Sequence, residues 1–203
     1  MNAEELLKSV LAKDETVKWS AKPEPYSITN EENKKSTFML WAVAAAALVI
    51  LNVAYIAVCV IGDAVDFKIG VLIITVGVPV FMFVNPLRDE MHIAKQITAI
   101  TNKRLLVYHK SGKVLSVSVE DIDEVKLEES TDAGRCHLRI CSAAVIAPPG
   151  KLRSIAISGK LDKDDKCVGL IFYHIDAQEG ARAYDVVNSL LSERSDDKTA
   201  TVQ

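Results

Sequence analysis

Two long runs without a single charged side chain set the first constraint on this polypeptide. Ser36 to Gly62 is 27 consecutive uncharged residues, and at about 1.5 Å per residue a helix of that length exceeds the ~30 Å hydrocarbon core of a bilayer. Ile69 to Leu87 is a second run of 19 residues, about 28 Å as a helix, enough to cross with anchoring at the interfaces. Only Asp63 to Lys68 separates them, too little for a domain. The pair predicts a helical hairpin that crosses a bilayer and returns, with both chain ends on one side. A buried helix pair of a soluble core rarely stays apolar on every face for so many turns. The first run also starts 35 residues into the chain, which argues against a signal peptide. Ala42, Ala44 to Ala47 and Ala54 form a small-residue face suited to close helix packing, and Pro79 is expected to kink the second helix.

Basic residues near the spans orient the hairpin, because cytoplasmic flanks retain Lys and Arg. Lys18, Lys22, Lys34 and Lys35 precede it, Arg88, Lys95, Lys103 and Arg104 follow it, and the connecting loop holds only Lys68. Both termini are therefore expected in the cytoplasm of a cell carrying this protein in its cytoplasmic membrane. The cysteines beyond the hairpin, Cys136, Cys141 and Cys167, are an odd set, which favours reduced thiols.

The flanks divide unequally. Residues 1–36 are a cytoplasmic N-terminal segment too short for its own core. Leu6, Leu7, Val10 and Leu11 recur at helical spacing, and Lys22-Pro23-Glu24-Pro25 then enforces an extended path. Residues 37–87 are the two-helix hairpin. Residues 88–194 carry recurrent period-two segments, Leu115 to Val119, Val125 to Leu127, Cys136 to Ile140, Ile155 to Ile157 and Val168 to Phe172, which predict a six- or seven-strand antiparallel meander. Asp176 is placed to cap a terminal helix, with Glu179 completing a capping box and Ala181, Tyr184, Val187, Leu190 and Leu191 as its apolar stripe. Residues 195–203 lack an apolar cluster and read as a disordered tail.

The stretch Gln96-Ile97-Thr98-Ala99-Ile100-Thr101-Asn102-Lys103-Arg104-Leu105-Leu106-Val107 is similar to the strand, Thr-Asn-(Lys/Arg)-Arg turn and second strand of the bacterial pleckstrin-homology-like (PH-like) membrane proteins. Asp14 to Pro23, with Trp19 and Lys22-Pro23, resembles the same family's lead-in ahead of its two-helix anchor, and Ile122 to Val125 and Gly134 also fit. Ala99 stands where that family usually has an aromatic, and Cys136-His137 departs from its shorter strand start. The resemblance covers most of residues 14–192. It implies an α+β protein, a transmembrane helical hairpin followed by an antiparallel PH-like split β-barrel with a C-terminal helix, and it carries no assigned reaction.

Between Arg88 and Arg194 there are 16 basic and 16 acidic residues, so nothing draws this part toward nucleic acid. No nucleophile elbow, phosphate-binding glycine loop or zinc-protease helix occurs, and His92, His109, His137 and His174 show no paired metal spacing. No catalytic residue, cofactor or metal is assigned. The Thr101-Asn102-Lys103-Arg104 turn has two readings. In one, Asn102 takes an unusual turn conformation, Thr101 caps it and Arg104 pairs with a carboxylate. In the other, Lys103 and Arg104, helped by Lys110 and Lys113, meet anionic headgroups or a partner. The expectation is a non-enzymatic membrane protein whose cytoplasmic domain binds a membrane-protein partner or copies of itself. An anionic-lipid sensor is the alternative, and a membrane hydrolase is held in reserve.

Overall fold

The computed structural model describes residues 7–61, 68–109, 112–145, 157–158 and 169–200. The chain forms two compact units. One runs from Ser27 to Glu90, and the other is discontinuous, joining Met1–Tyr26 to Met91–Gln203.

The Ser27–Glu90 unit is built from helix α1 (Glu31–Ile61) and helix α2 (Ile69–Ile93), the second ending just beyond it. Three polar ties join them in antiparallel order. The Trp41 indole N–H donates to the Phe83 carbonyl at 3.3 Å, the Thr75 hydroxyl lies 3.0 Å from Asn52 Oδ1, and Tyr55 meets the Lys68 backbone through both its amide and its carbonyl. Asn52 spends its own N–H on the Leu48 carbonyl, leaving Oδ1 to accept from Thr75. Such pairing suits an apolar surround, where an unmatched polar group is costly. Among the described residues, every exposed large hydrophobic side chain except Val17 and Leu127 lies between Phe38 and Met91. Both helices are long and apolar enough to cross a membrane by length and composition.

The discontinuous unit is α+β, with two antiparallel four-stranded sheets. The first has the order β1 (Val17–Ala21), β2 (Gln96–Thr101), β3 (Arg104–His109), β4 (Lys113–Ser118). The second has the order β5 (Glu124–Glu129), β6 (Arg135–Cys141), β8 (Gly169–Asp176), β7 (Ile157–Ser158). A 3-10 turn, Val119–Asp121, leads from one to the other. Among the described residues no ladder joins the sheets. The strand order also departs from a simple meander. Among the described residues strand β7 comprises Ile157 and Ser158 and takes the outer edge, and the eight-residue β8 lies between it and β6. Ile155 and Val168 lie outside the described residues.

The core draws on both sheets: Ile100, Leu105, Val107 and Val117 from the first, Leu138, Ile140, Leu170 and Phe172 from the second. Helix α3 (Ala177–Ala200) closes it with Ala183 and Val187. Of its expected apolar stripe, Tyr184, Val187, Leu190 and Leu191 pack on the core, whereas Ala181 is exposed and Gly180 and Ala183 are buried in that turn. The small residues have a reason. A Cβ on Gly180 would stand 2.0 Å from Cys136 Sγ, so this turn seats against β6 only without a side chain. Asp176 caps the helix as expected, accepting from the amides of Gln178 and Glu179 at 2.9 and 3.4 Å. The Glu179 carboxylate, however, accepts the Trp19 indole N–H at 3.1 Å and pairs with Arg182. The helix also runs past Glu193 to Ala200, into the stretch expected to be tail.

Residues before the hairpin complete this unit. Trp19 on β1 is buried and stacks on Phe172 with ring centroids 5.9 Å apart. On the other face of the first sheet Leu7, with Val10 and Leu11, covers Ile97, Ala99, Leu106 and Tyr108. Leu6 lies outside the described residues. Cys59 and Cys136 are free thiols, whereas Cys141 is disulfide-bonded, against the expectation of reduced cysteines throughout.

Candidate functional site

The basic turn between β2 and β3 is built around the Thr101 hydroxyl. That oxygen accepts the amides of Lys103 and Arg104 at 3.2 and 3.0 Å and lies 2.8 Å from both the Arg104 carbonyl and Glu15 Oε1, donating to one of them at a time. Asn102 does not adopt a left-handed backbone; among the described non-glycine residues only His174 does. Its side chain instead clips the incoming strand, accepting the Thr16 amide at 2.9 Å.

Because β1 pairs with β2 in the register Val17↔Thr101, the two residues ahead of Thr16 fall over the turn. Arg104 grips Glu15 with two bonds, Nε to Oε1 at 2.9 Å and Nη2 to Oε2 at 3.0 Å, and reaches the Val10 carbonyl at 3.0 Å. The Ala12 amide adds a further donor to Glu15 at 2.9 Å. The Glu15 side chain is only 1% exposed. Burial pushes its carboxyl up, but Arg104, the Ala12 amide and the Thr101 hydroxyl together bring it below its ordinary value. Lys103 pairs with Asp14 at the surface, and that hydrogen bond, followed by one from the backbone, lowers the Asp14 carboxyl.

The four basic residues singled out in the sequence are not gathered into one patch. Arg104 faces Ser118 at one end of the β3–β4 ladder and Lys113 faces His109 at the other, about 17 Å apart along the strand. Lys110 lies outside the described residues. Beside the Lys103 turn runs an open groove of about 800 Å³, lined by Asn102, Lys103, Val119, Asp121, Leu190 and Arg194. Arg194 is engaged there, donating to the Val119 and Ile122 carbonyls at 3.2 Å each.

The histidines, scattered in the sequence, meet as two pairs. His92 Nδ1 and His109 Nε2 are 3.3 Å apart. Burial lowers the His109 pKa, followed by the charges of His92, Lys95 and Lys113. His137 and His174 meet across β6 and β8. Among the described residues no group of three or more His, Cys, Asp or Glu side chains is placed to hold a metal. The carboxylate expected for Arg104 is Glu15, and Asp14 does the same for Lys103; the sequence carries both in the lead-in, where nothing local ties them to the turn.

No protein-family model, curated protein or solved structure matches this chain.

Proposed function

We propose that this chain is a non-enzymatic integral membrane protein of the bacterial PH-like type, anchored by its helical hairpin, whose folded unit serves as a protein-interaction or self-assembly module. Two sheets with a common core and a terminal helix support a split PH-like barrel. The pairing of β1 with β2 supports a hairpin that crosses and returns, since strands on either side of it share one sheet. The observation that carries the choice of function is the consumption of Arg104 and Lys103 in ion pairs with Glu15 and Asp14. With those charges balanced by the protein itself, and Lys113 at the far end of β3, little net positive charge remains at the turn to hold an anionic leaflet. Strand β5 has one neighbour in its sheet among the described residues, and a strand so placed can pair its backbone with another chain.

Crosslinking of the full chain in native membranes tests this reading. Crosslinked species that persist as salt is raised, and that form equally with Lys103→Glu plus Lys113→Glu, support protein association. Species lost steeply with salt and with that double variant would transfer the function to anionic-lipid sensing. Arg104 is left intact because its loss would unseat Glu15. On the side of the membrane, the basic residues flanking the hairpin support a cytoplasmic placement of both termini. The Cys141 disulfide bears the other way, since cytosolic thiols are kept reduced.

A further inference from the structure

The chain leaves β1 through a short strap, Glu24-Pro25-Tyr26, that lies on one residue of β8. The Glu24 amide donates to the His174 carbonyl at 2.8 Å, and His174 Nε2 is 3.2 Å from the Pro25 carbonyl. The Tyr26 ring meets the rings of Tyr173 and His174 edge-on, with centroids 5.6 Å away in each case.

His174 is an unusual anchor. It is 1% exposed and sits at φ 54°, a left-handed conformation uncommon for a side chain of its size. It lies where the β6–β8 register slips between Cys136 and Leu138, so Tyr173 and His174 form a bulge on β8 opposite the single residue His137. Its own amide donates to His137 Nδ1 at 3.0 Å. That bond fixes a protonation state, because an amide can only donate and His137 Nδ1 must therefore be bare. The Pro25 carbonyl can only accept, so His174 carries its proton on Nε2. Its Nδ1 is buried without a hydrogen-bond partner, and burial favours the neutral ring in which that atom is bare. Both rings are neutral when the strap is seated.

We propose that His137 and His174 form an acid-sensitive latch, which holds the Glu24–Tyr26 strap on β8 while both rings are neutral and releases it as pH falls through the histidine range. A proton on His137 Nδ1 removes the acceptor of the His174 amide and sets two donors against each other. That leaves a buried amide unpaired in a strained backbone, the residue on which both strap bonds depend.

The surrounding charges do not reverse this sense. Asp132, in the turn before β6, has an oxygen 3.9 Å from His174 Nδ1 and favours a charged ring. Arg135 on β6 opposes it and is shared between Glu24 of the strap, at 3.4 Å, and Asp176 of β8, at 3.7 Å. Glu128, across the ladder from His137 on β5, is tied to Arg139 at 2.9 Å. Tyr173 stacks on His137 with a centroid distance of 4.3 Å. Burial lowers the His174 pKa most; Asp132 and the Pro25 carbonyl raise it, and His137 and Arg135 lower it further, for a net fall. A group whose pKa is depressed in the latched state takes its proton more readily once released. The latch is thus fully stable above about 6.5 and weakens as pH falls below that value.

The test is amide exchange by NMR on the full chain in nanodiscs, with each rate divided by its intrinsic value at the same pH. Between about pH 7.5 and about pH 5, Glu24 and His174 should lose protection about tenfold or more, while Leu106 in β3 keeps its own. His137→Asn places a non-titrating oxygen at the acceptor position and should shrink the loss to about threefold or less. In the unsubstituted chain, an imidazole of His137 or His174 should titrate at the midpoint of the amide change, a readout that stands even if the variant fails to fold. Unchanged Glu24 protection across the range, a full-sized loss in folded His137→Asn, or imidazole midpoints away from the amide midpoint would each overturn the latch.

Discussion

Arg104 shows how one side chain can look like a ligand contact and serve as a structural clamp. Its guanidinium matches the fork of the Glu15 carboxylate with bonds of 2.9 and 3.0 Å, and the carboxylate is almost wholly out of water. A pair of that kind adds little net stability over an apolar substitute, but removing one partner strands the other charge, which costs about 3–5 kcal/mol. Arg104→Ala should therefore lower the unfolding free energy by about that amount in denaturant titrations, while Lys103→Ala, facing the exposed Asp14, should leave it nearly unchanged. Acid gives an independent check. The Glu15 pKa is lowered in the folded chain, so its contribution is complete above the ordinary glutamate value of 4.5 and is lost as pH falls below it. Glu15→Gln should flatten that part of the stability curve. The turn was legible in the sequence through Thr101 and Asn102, because turn chemistry is local. Its electrostatic partner lies 89 residues away in sequence, and no short-range pattern encodes such a pairing.

At the scale of elements, the alternations over Leu115–Val119, Val125–Leu127 and Cys136–Ile140 were readable because a sheet with one wet face repeats every second residue. Sheet assignment was not readable, since the same alternation fits either sheet and strand neighbours are set by long-range packing. The first turn of α3 departs from its apolar stripe for a related reason, although Tyr184, Val187, Leu190 and Leu191 pack as that stripe predicts. Helical periodicity marks an apolar stripe, but the closest approach here is made by residues with the least to bury, Gly180 and Ala183. Gly180→Ala should cost about 1–3 kcal/mol, because its new methyl group would stand 2.0 Å from Cys136 Sγ. Combining it with Cys136→Ala, which removes that sulfur, should recover part of the loss; a strictly additive pair in a double-mutant cycle would refute the contact as the cause. Strand β1 carries the same logic from the opposite direction. Trp19 fills a space between β8 and α3 that nothing else occupies, so Trp19→Ala should cost about 3–5 kcal/mol and speed proteolysis of the sequence beyond residue 91.

For the molecule as a whole, the hairpin is an insertion into a folded unit and not an anchor placed ahead of one. Residues on both sides of it, Val17–Ala21 and Gln96–Thr101, are neighbouring strands of one sheet, so a piece starting at residue 88 would lack β1, Trp19 and the Leu7 cover. A domain boundary drawn at the end of the second apolar run is natural from hydropathy, which records where polar sequence resumes and not which polar pieces pair. The insertion constrains topology more firmly than a count of basic residues can, because a ladder of backbone hydrogen bonds cannot form across a bilayer. In intact cells or sealed vesicles, thiols introduced as Thr29→Cys and Gln178→Cys, both at exposed positions, should react with a membrane-impermeant reagent from one and the same side. Ala64→Cys, between the helices, should react only from the other. All three reacting from one side would mean that the hairpin does not cross, and Thr29 reacting from the side opposite Gln178 would contradict the β1–β2 pairing. The side that labels the first two also resolves the conflict between the two compartment signals: a cytoplasmic result follows the lysines and arginines flanking the hairpin and predicts Cys141 reduced in the cell, whereas an outward result follows the disulfide.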